Sequence, residues 1–345
     1  MKEETSINMK VLHAPYNISG QASMIAKAQR ELGIESDVLV FDQNYIDYYC
    51  DINLSLSGKS IIIKNYLMMI NFVKCFFKYD IFHFHFGFSL LPNNYDLPIL
   101  KLFGKKTLMH YWGSDIRQSD IAIKYVHFKT LEELQKVYPA KDDDYKRKKI
   151  ERIEKYIDVS IAGDYPLLPY SPKGIVIKQA IELSNLPYIG CENKNEKIKI
   201  VHAPTAREKK GTNYVIAVIE RLKQEKYNID FILVEHKTHD EALEIYKKCD
   251  IIIDQIVLES HGTLAMEGMA LGKPVLCRID EEFVKDYQDI PLVRTDPDNI
   301  YKNLKLLIEN PDMRKSLGEK GRKYVEDVHD SKKIAEQLIK LYKSI

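Results

Sequence analysis

Two glutamates, eight positions apart, are the side chains best placed to bind a polar ligand. Glu259 lies in a polar loop, and Glu267 lies about one turn inside the apolar helix that follows. Thr263 shares a helical face with Glu267, because residues four apart lie on the same side of a helix. The backbone N–H groups at a helix N-terminus favour phosphate. This arrangement predicts an anionic ligand that also carries hydroxyl groups.

The segment 249–277 contains the elements that must position these groups. It has an apolar strand at 251–253, the polar loop, a helix that opens near Gly262, a Gly-Lys-Pro stop at 272–274 and a second apolar strand. This order of elements is typical of a parallel α/β sheet, in which ligands bind at the carboxyl ends of the strands.

The two-glutamate segment resembles the donor site of a known enzyme family. Gly262 follows Glu259 by three positions, and Glu267 opens the sequence EGMALGKPV. These residues are similar to the signature of retaining GT-B glycosyltransferases, especially glycosyltransferase family 4. The resemblance implies that Glu259 lies beside the donor sugar and that Glu267 holds the ribose hydroxyls. It also implies that the sugar and phosphate are contacted by His261, Gly262, Thr263 and Leu264.

A second loop, with the sequence PTAREKKGT, follows the strand predicted at 198–203. A basic, glycine-containing turn between a strand and a helix suits a phosphate group. The resemblance implies that Lys210 and Arg207 neutralise the donor diphosphate. It places Glu235, which follows the next strand, near the nucleotide base.

The amino-terminal half contributes two further candidate residues. Gly20 lies in a turn after the first strand, and the resemblance implies that this turn lies by the acceptor and the donor phosphates. The segment YWGSDIR follows the apolar strand at 105–110 and resembles a His-Gly-Ser-Asp segment that faces the donor in related transferases. Trp112 stands where histidine is common, so His110, two residues earlier, is the candidate for that role.

The composition limits the kind of protein this can be and the partners it can bind. The chain has 345 residues, enough for two domains, and its formal net charge of +1 argues against nucleic acid as a partner. The five cysteines are scattered and odd in number, so we expect free thiols in a reducing compartment. The polar amino terminus and the lack of an apolar run of about 18 residues predict a cytoplasmic protein.

Three other motifs have a functional and a structural interpretation. The basic amphipathic helix predicted at 60–79 is expected to pack on its own sheet, with contact to the inner face of a membrane as the alternative. His83 and His85 share one side of a strand, but no third ligand spacing accompanies them, so no metal site is predicted. The three aspartates at 142–144 are expected to be a solvated helix start.

The resemblance implies an α/β protein of the GT-B fold, with two Rossmann-like domains that face a cleft and a C-terminal helix that crosses back to the first domain. The expected domains are an acceptor-side domain over 1–185, a nucleotide-sugar donor domain over 195–328, and a terminal helix over 329–345. Polar and turn residues over 180–195 mark the predicted linker.

The function implied by the resemblance is sugar transfer, with retention of configuration, from a nucleotide diphosphate sugar in which uridine is the favoured base. The implied acceptor is a glycan, lipid-linked or cell-envelope molecule, as in polysaccharide biosynthesis, and no metal or other cofactor is expected. Two alternatives stay open: a nucleotide-sugar epimerase or hydrolase of the same fold, and a non-catalytic glycan-binding partner subunit. A kinase or dehydrogenase is disfavoured, because the sequence has neither a GxxxxGK[ST] nor a GxGxxG loop.

Overall fold

The structure, a computed structural model, describes residues 9–43, 48–128, 130–191, 197–287 and 289–345. The polar amino terminus over 1–8 and residues 192–196, which include the end of the predicted linker, lie outside the described residues. No helix in the described ranges is long and apolar enough to cross a bilayer.

Parallel strands alternate with helices along the chain. The strands are β1 (Lys10–Ala14), β2 (Glu35–Val40), β3 (Ile52–Asn53), β4 (Ile81–His85), β5 (Lys106–Tyr111), β6 (Val159–Ala162), β7 (Ile175–Val176), β8 (Ile198–His202), β9 (Ile229–Leu233), β10 (Ile251–Ile253), β11 (Val275–Cys277) and β12 (Val293–Arg294). The α-helices are α1 (Gln21–Glu31), α2 (Ile61–Lys78), α3 (Asp96–Leu102), α4 (Ser119–Ala122), α5 (Leu131–Val137), α6 (Asp143–Glu154), α7 (Arg207–Lys210), α8 (Thr212–Gln224), α9 (His239–Lys247), α10 (Thr263–Ala270), α11 (Ile300–Glu309), α12 (Pro311–Val328) and α13 (Ser331–Ser344).

The chain folds into two compact units. Unit one is built from Met1–Arg117, Asp144–Ala180 and Ser331–Ile345. Unit two is built from Gln118–Asp143 and Ile181–Asp330. Each unit contains one parallel sheet, in the order β3-β2-β1-β4-β5-β6-β7 for unit one and β12-β11-β10-β8-β9 for unit two.

Each sheet has one point at which the strand order reverses. In unit one β1 lies between β2 and β4, and in unit two β8 lies between β9 and β10. The loops that leave two such neighbouring strands run to opposite faces of the sheet, and the crevice between them is where ligands bind in this type of fold. In unit two the two loops are those that follow β8 and β10, which carry the predicted basic loop and the Glu259 loop.

The C-terminal helix α13 belongs to unit one. Its residues Ile334, Leu338 and Tyr342 are buried in the same core cluster as Val11 of β1 and Ile25 of α1. The apolar stripe of this helix is thus covered by the first unit, as predicted.

The segment 118–143 belongs to unit two, whereas the predicted acceptor-side domain ran continuously from 1 to 185. The backbone N–H of His127 donates to the Val257 carbonyl at 2.7 Å, and the Arg278 guanidinium donates to the Tyr125 carbonyl. These contacts join residues more than 100 positions apart, so hydrophobic periodicity along the chain does not report them.

The expectation of a solvated aspartate cluster at 142–144 is wrong for its central residue. Asp143 is buried, and its carboxylate accepts the Ser119 backbone N–H at 2.9 and 3.0 Å and the Ser119 hydroxyl at 2.6 Å. Asp143 therefore joins the start of α6 to the start of α4.

Helix α2 packs on unit one along a narrow stripe only. Met68, Phe72 and Cys75 are its buried residues. Its exposed large apolar side chains are Ile61, Ile62, Ile63, Tyr66, Met69, Val73 and Phe77. The expectation that the apolar face of this helix is covered by its own sheet is therefore wrong for most of that face.

Candidate functional site

A buried carboxylate joins the two loops that leave the switch point of unit two. Asp254, the first residue after β10, is fully buried, and its Oδ1 accepts from Lys210 Nζ at 3.1 Å. Its Oδ2 accepts the backbone N–H of Gly262, the residue before α10, at 2.6 Å. Burial raises the pKa of Asp254, but the Lys210 charge and the Gly262 N–H outweigh it, so the net pKa shift is downward.

Lys210 is held from a second direction as well. Its ammonium donates to the Gln255 side-chain oxygen at 2.6 Å, and Gln255 donates in turn to the Ser260 carbonyl. These contacts fix the lysine from the β8 loop beside the start of α10. We call Lys210, Asp254, Gln255 and Gly262 the loop junction.

Two glycines lie where these loops approach each other closely. A Cβ at Gly262 would lie 2.8 Å from Lys210 Nζ and 3.1 Å from Asp254 Oδ2. Gly211 has φ +75°, and a Cβ there would lie 2.7 Å from Ile256 Cγ1. The close approach of the two loops therefore depends on the missing side chains, and the glycine three positions after Glu259 meets a packing demand.

The predicted residue Glu267 lies inside α10 and is paired with a histidine. Its Oε1 is 2.6 Å from Nε2 of His239, the first residue of α9. Burial lowers the pKa of His239, but the hydrogen bond and charge of Glu267 outweigh it, so the net pKa of His239 is raised. The sequence did not reveal this histidine, because 28 positions separate the two residues.

Arg207 and Glu235 were both predicted to contact the donor, and the structure pairs them with each other. Arg207 Nε donates to Glu235 Oε1 at 2.8 Å, and Nη2 donates to Oε2 at 2.5 Å. This two-point ion pair lies at the surface of unit two, on the loops that follow β8 and β9.

Glu259 and His261 are buried in the loop before α10. The Glu259 carbonyl accepts the Asp280 N–H at 3.0 Å, and the His261 ring lies 5.4 Å from the Tyr287 ring. Leu264, in the first turn of α10, is also buried, and Thr263 is half-buried. The first turn of α10 contains no acidic residue of its own, and the Asp254 carboxylate binds the N–H of Gly262 just before it.

The two candidates from the amino-terminal half lie in unit one. Gly20 is the N-cap of α1 and has φ +71°. A Cβ at Gly20 would lie 2.7 Å from the Tyr48 ring, so glycine leaves room for that ring. His110 is fully buried at the end of β5 and stacks on Trp112, with ring centroids 3.8 Å apart. Its nearest partners are thus other rings of unit one.

A chain of hydrogen bonds runs through buried rings around His110, and the Trp112 indole fixes which atom of each pair donates. The Trp112 indole can only donate, and it donates to His85 Nδ1 at 3.2 Å. A neutral His85 then donates from Nε2 to His13 Nδ1 at 3.1 Å, and His13 donates from Nε2 to the Gln29 carbonyl oxygen at 2.9 Å.

The chain continues from Gln29 to His110. The Gln29 amide donates to the Tyr342 hydroxyl at 3.2 Å, which lies 2.6 Å from His83 Nδ1 and donates to it. His83 then donates from Nε2 to His110 Nδ1 at 3.3 Å. Every step is satisfied by neutral imidazoles, and α13 is tied to the centre of the sheet through Tyr342.

His13 supplies the third histidine that the sequence spacing did not offer. Ring nitrogens of His13, His83 and His85 lie within 4.8 Å of one another. No sequence spacing pointed to His13, because it belongs to β1, which lies beside β4 in the sheet. Neutral hydrogen bonding already accounts for these nitrogens, so the cluster is explained as a polar network.

The comparisons with known proteins agree with this architecture. Residues 230–324 match the family Glycosyl transferases group 1. A curated relative, the uncharacterized glycosyltransferase MJ1178 of Methanocaldococcus jannaschii, is 30% identical over 104 residues. That alignment covers 29% of this chain and 30% of the relative. The range matched by the family contains Glu235, Asp254, Glu259 and Glu267.

Solved structures of similar fold cover almost the entire chain. Sucrose-phosphate synthase from Thermosynechococcus elongatus has a TM-score of 0.68 at 15% identity and covers 98% of both chains. Anabaena Alr3699/HepE in complex with UDP has a TM-score of 0.63 at 11% identity and covers 98% of this chain and 100% of that one. The predicted α/β GT-B fold is confirmed.

The buried histidines predict acid-sensitive stability. Burial lowers the pKa of His13 to about 4 and holds the pKa values of His83, His85 and His110 well below the usual value. Histidines of the unfolded chain take up protons at about pH 6.5, whereas the folded ones do not. Stability is therefore complete above that pH and falls as the pH drops toward about 4.

Urea unfolding measured at several pH values tests this expectation. Each histidine contributes a slope of up to about 1.4 kcal/mol per pH unit in this window. His13→Gln removes one such group, so we expect its unfolding free energy to depend less steeply on pH than that of the wild type. Equal slopes for both proteins would contradict the neutral network.

Proposed function

We propose that this protein is a glycosyltransferase that transfers a sugar from a nucleoside diphosphate sugar, with UDP as the favoured nucleotide. The loop junction carries this proposal, because it holds the Lys210 ammonium beside the start of α10 at the switch point of unit two. A lysine and a helix start together suit a diphosphate. The HepE structures contain UDP and, in one case, UDP-glucose.

The proposed chemistry is electrostatic and independent of metal. As the diphosphate leaves, negative charge develops on its oxygens, and preorganised positive groups lower the barrier. Lys210 is anchored from behind by the buried Asp254, so it does not have to be reoriented during the reaction. Arg207, three positions before Lys210 on α7, is paired with Glu235 at the surface and adds a second cation.

We propose transfer with retention of configuration and without a covalent glycosyl-enzyme. In this account Glu259 positions the donor sugar and stabilises the charge that develops on it, while a phosphate oxygen of the leaving group takes the proton of the acceptor. Retaining enzymes that do form a covalent intermediate use a carboxylate nucleophile. Trapping a sugar on Glu259 would therefore contradict this part of the proposal.

Glu267 is assigned to the ribose hydroxyls. His239 occupies its Oε1, and Oε2 makes no hydrogen bond to any residue in the described ranges. That oxygen can accept from a hydroxyl while the histidine fixes the carboxylate plane. The roles of Gly20 and His110, and of Glu235 near the base, stay predictions that follow from the family resemblance.

Thermal stabilisation by nucleoside diphosphates and their sugars tests the donor class, because a ligand that binds the folded state raises the melting temperature. We expect a UDP-sugar to stabilise the wild type and to fail to stabilise Glu267→Ala, which loses the ribose contact.

The variant Lys210→Ala should lower turnover by roughly 100-fold, because it loses a positive charge that stabilises the leaving diphosphate. Lys209→Ala is the matched control, since this lysine of α7 lies over the Tyr138 ring outside the junction.

These measurements also distinguish a transferase from an epimerase or hydrolase and from a non-catalytic subunit. An epimerase or hydrolase would consume the donor completely without any acceptor, whereas a transferase requires the acceptor for full turnover. If no nucleotide sugar stabilises the wild type, the enzyme proposal fails and a non-catalytic glycan-binding subunit becomes the better account.

We further propose that the acceptor is a glycan or lipid-linked molecule reached at a membrane surface. The exposed apolar side chains of α2 continue into the end of α3, where Leu102 is 80% and Phe103 is 64% exposed. The Phe103 ring packs edge-on against Phe76 of α2, with centroids 5.2 Å apart, so the two helices share one apolar patch. Helix α2 also carries three lysines and no acidic residue.

This combination fits an anionic lipid surface, which attracts lysines and accepts apolar side chains. Vesicle co-sedimentation should show binding to vesicles that contain about one third anionic lipid and little binding to neutral ones. The double variant Ile62→Ser and Phe77→Ser should weaken binding by about tenfold or more. Tyr145→Ser, an exposed site on α6, is the control. Equal binding by the double variant and the wild type would contradict the contact.

A further inference from the structure

The switch point of unit one is also lined by groups that could bind a ligand. The loops that leave β1 and β4 begin at Pro15 and Phe86, at the carboxyl ends of neighbouring strands. Phe86 has φ +65° although it is not glycine. A bulky residue in the left-handed region is strained, and such strain is concentrated at functional loops.

Aromatic rings from three loops meet at this point. The Tyr16 ring lies 5.2 Å from that of Phe88, 5.9 Å from that of Phe86 and 5.8 Å from that of Phe41. We call these four residues the aromatic group. Phe88 is 37% exposed, so part of an aromatic ring of this group reaches solvent. Exposed aromatic rings suit the C–H face of a sugar ring.

A buried lysine lies against the aromatic group. Lys149 of α6 is only 7% exposed, and its Nζ lies 3.5 Å from the centre of the Phe88 ring. It forms no ion pair or hydrogen bond with the described part of the chain. The pKa of Lys149 is lowered to about 8, mainly by burial. The negative charge of Asp115 opposes this shift, and the positive charges of Arg152 and Lys146 add to it. A buried cation without a bound anion is costly, which indicates a ligand.

The neighbouring charged groups leave this lysine available. Asp115 accepts the backbone N–H groups of Trp112 and Gly113, so its carboxylate is engaged by its own loop. Lys146 donates to the Arg117 carbonyl. Asp115 and Lys146 thus each bind another partner, and Lys149 is the lysine of α6 that contacts the aromatic group.

We propose that Lys149 and the aromatic group form the acceptor subsite and that they select an anionic sugar. The sugar ring contacts the exposed part of the Phe88 ring, and a phosphate or carboxylate on that sugar pairs with the Lys149 ammonium. This inference rests on the proposed transferase function, since it names the class of acceptor for that reaction.

Isothermal titration calorimetry measures sugar binding to the purified protein directly. The probes are glucose 6-phosphate and glucuronate, which distinguish a phosphate from a carboxylate, with glucose and inorganic phosphate as comparisons. We expect one of the two anionic sugars to bind at least about tenfold more tightly than either comparison. Lys149→Met should lose at least about tenfold of that affinity, and Lys149→Arg should retain most of it.

Lys148→Met is the matched control, because Lys148 is the adjacent, exposed lysine of the same helix. The proposal is overturned if neither anionic sugar binds, if glucose or phosphate alone binds equally well, or if Lys149→Met leaves the affinity unchanged. UDP-dependent thermal stabilisation is measured on the same proteins. If UDP does not stabilise the wild type, the donor assignment is overturned. If UDP still stabilises Lys149→Met while that variant has lost sugar binding, the subsite is supported.

Discussion

The buried carboxylate of Asp254 is the interaction on which the donor side of this protein depends. It binds the Lys210 ammonium of one loop and the Gly262 N–H of the next, so it joins a cation and a helix start that belong to different parts of the chain. A fully buried charge is stable only when it is paired in this way. The Asp254 carboxylate therefore fixes the position of Lys210 and also balances its charge.

The same constraint explains why small residues surround the junction. The loops approach so closely that a Cβ at Gly211 would meet Ile256 at 2.7 Å and a Cβ at Gly262 would press on Lys210 Nζ at 2.8 Å. Behind them, Gly268 lets α10 lie against Ile252 and Val275, to which a Cβ would approach within 2.8 and 3.0 Å. Close packing of the helix on the sheet thus fixes the helix start, and the helix start fixes the loop in front of it.

Local patterns of the sequence predicted the α/β fold and the glutamate segment, because Glu259, Gly262 and Glu267 occupy one short stretch. They did not reveal Asp254, although it is the first polar residue after a run of three isoleucines, the place where a parallel strand meets its crevice. His239 and His13 were missed for a different reason. Their partners come from distant segments, and only the strand order brings them together.

The measurement that tests the central claim most directly is UDP affinity, by calorimetry, in Asp254→Asn beside Asp240→Asn. The first substitution keeps the shape of the side chain but removes the charge that anchors Lys210, whereas Asp240 is exposed in the first turn of α9. The account predicts that Asp254→Asn stays folded and weakens UDP binding by about tenfold or more, equivalent to about 1.4 kcal/mol, and that Asp240→Asn changes it little. Equal UDP affinity in both variants would contradict the claim that Asp254 assembles the donor site.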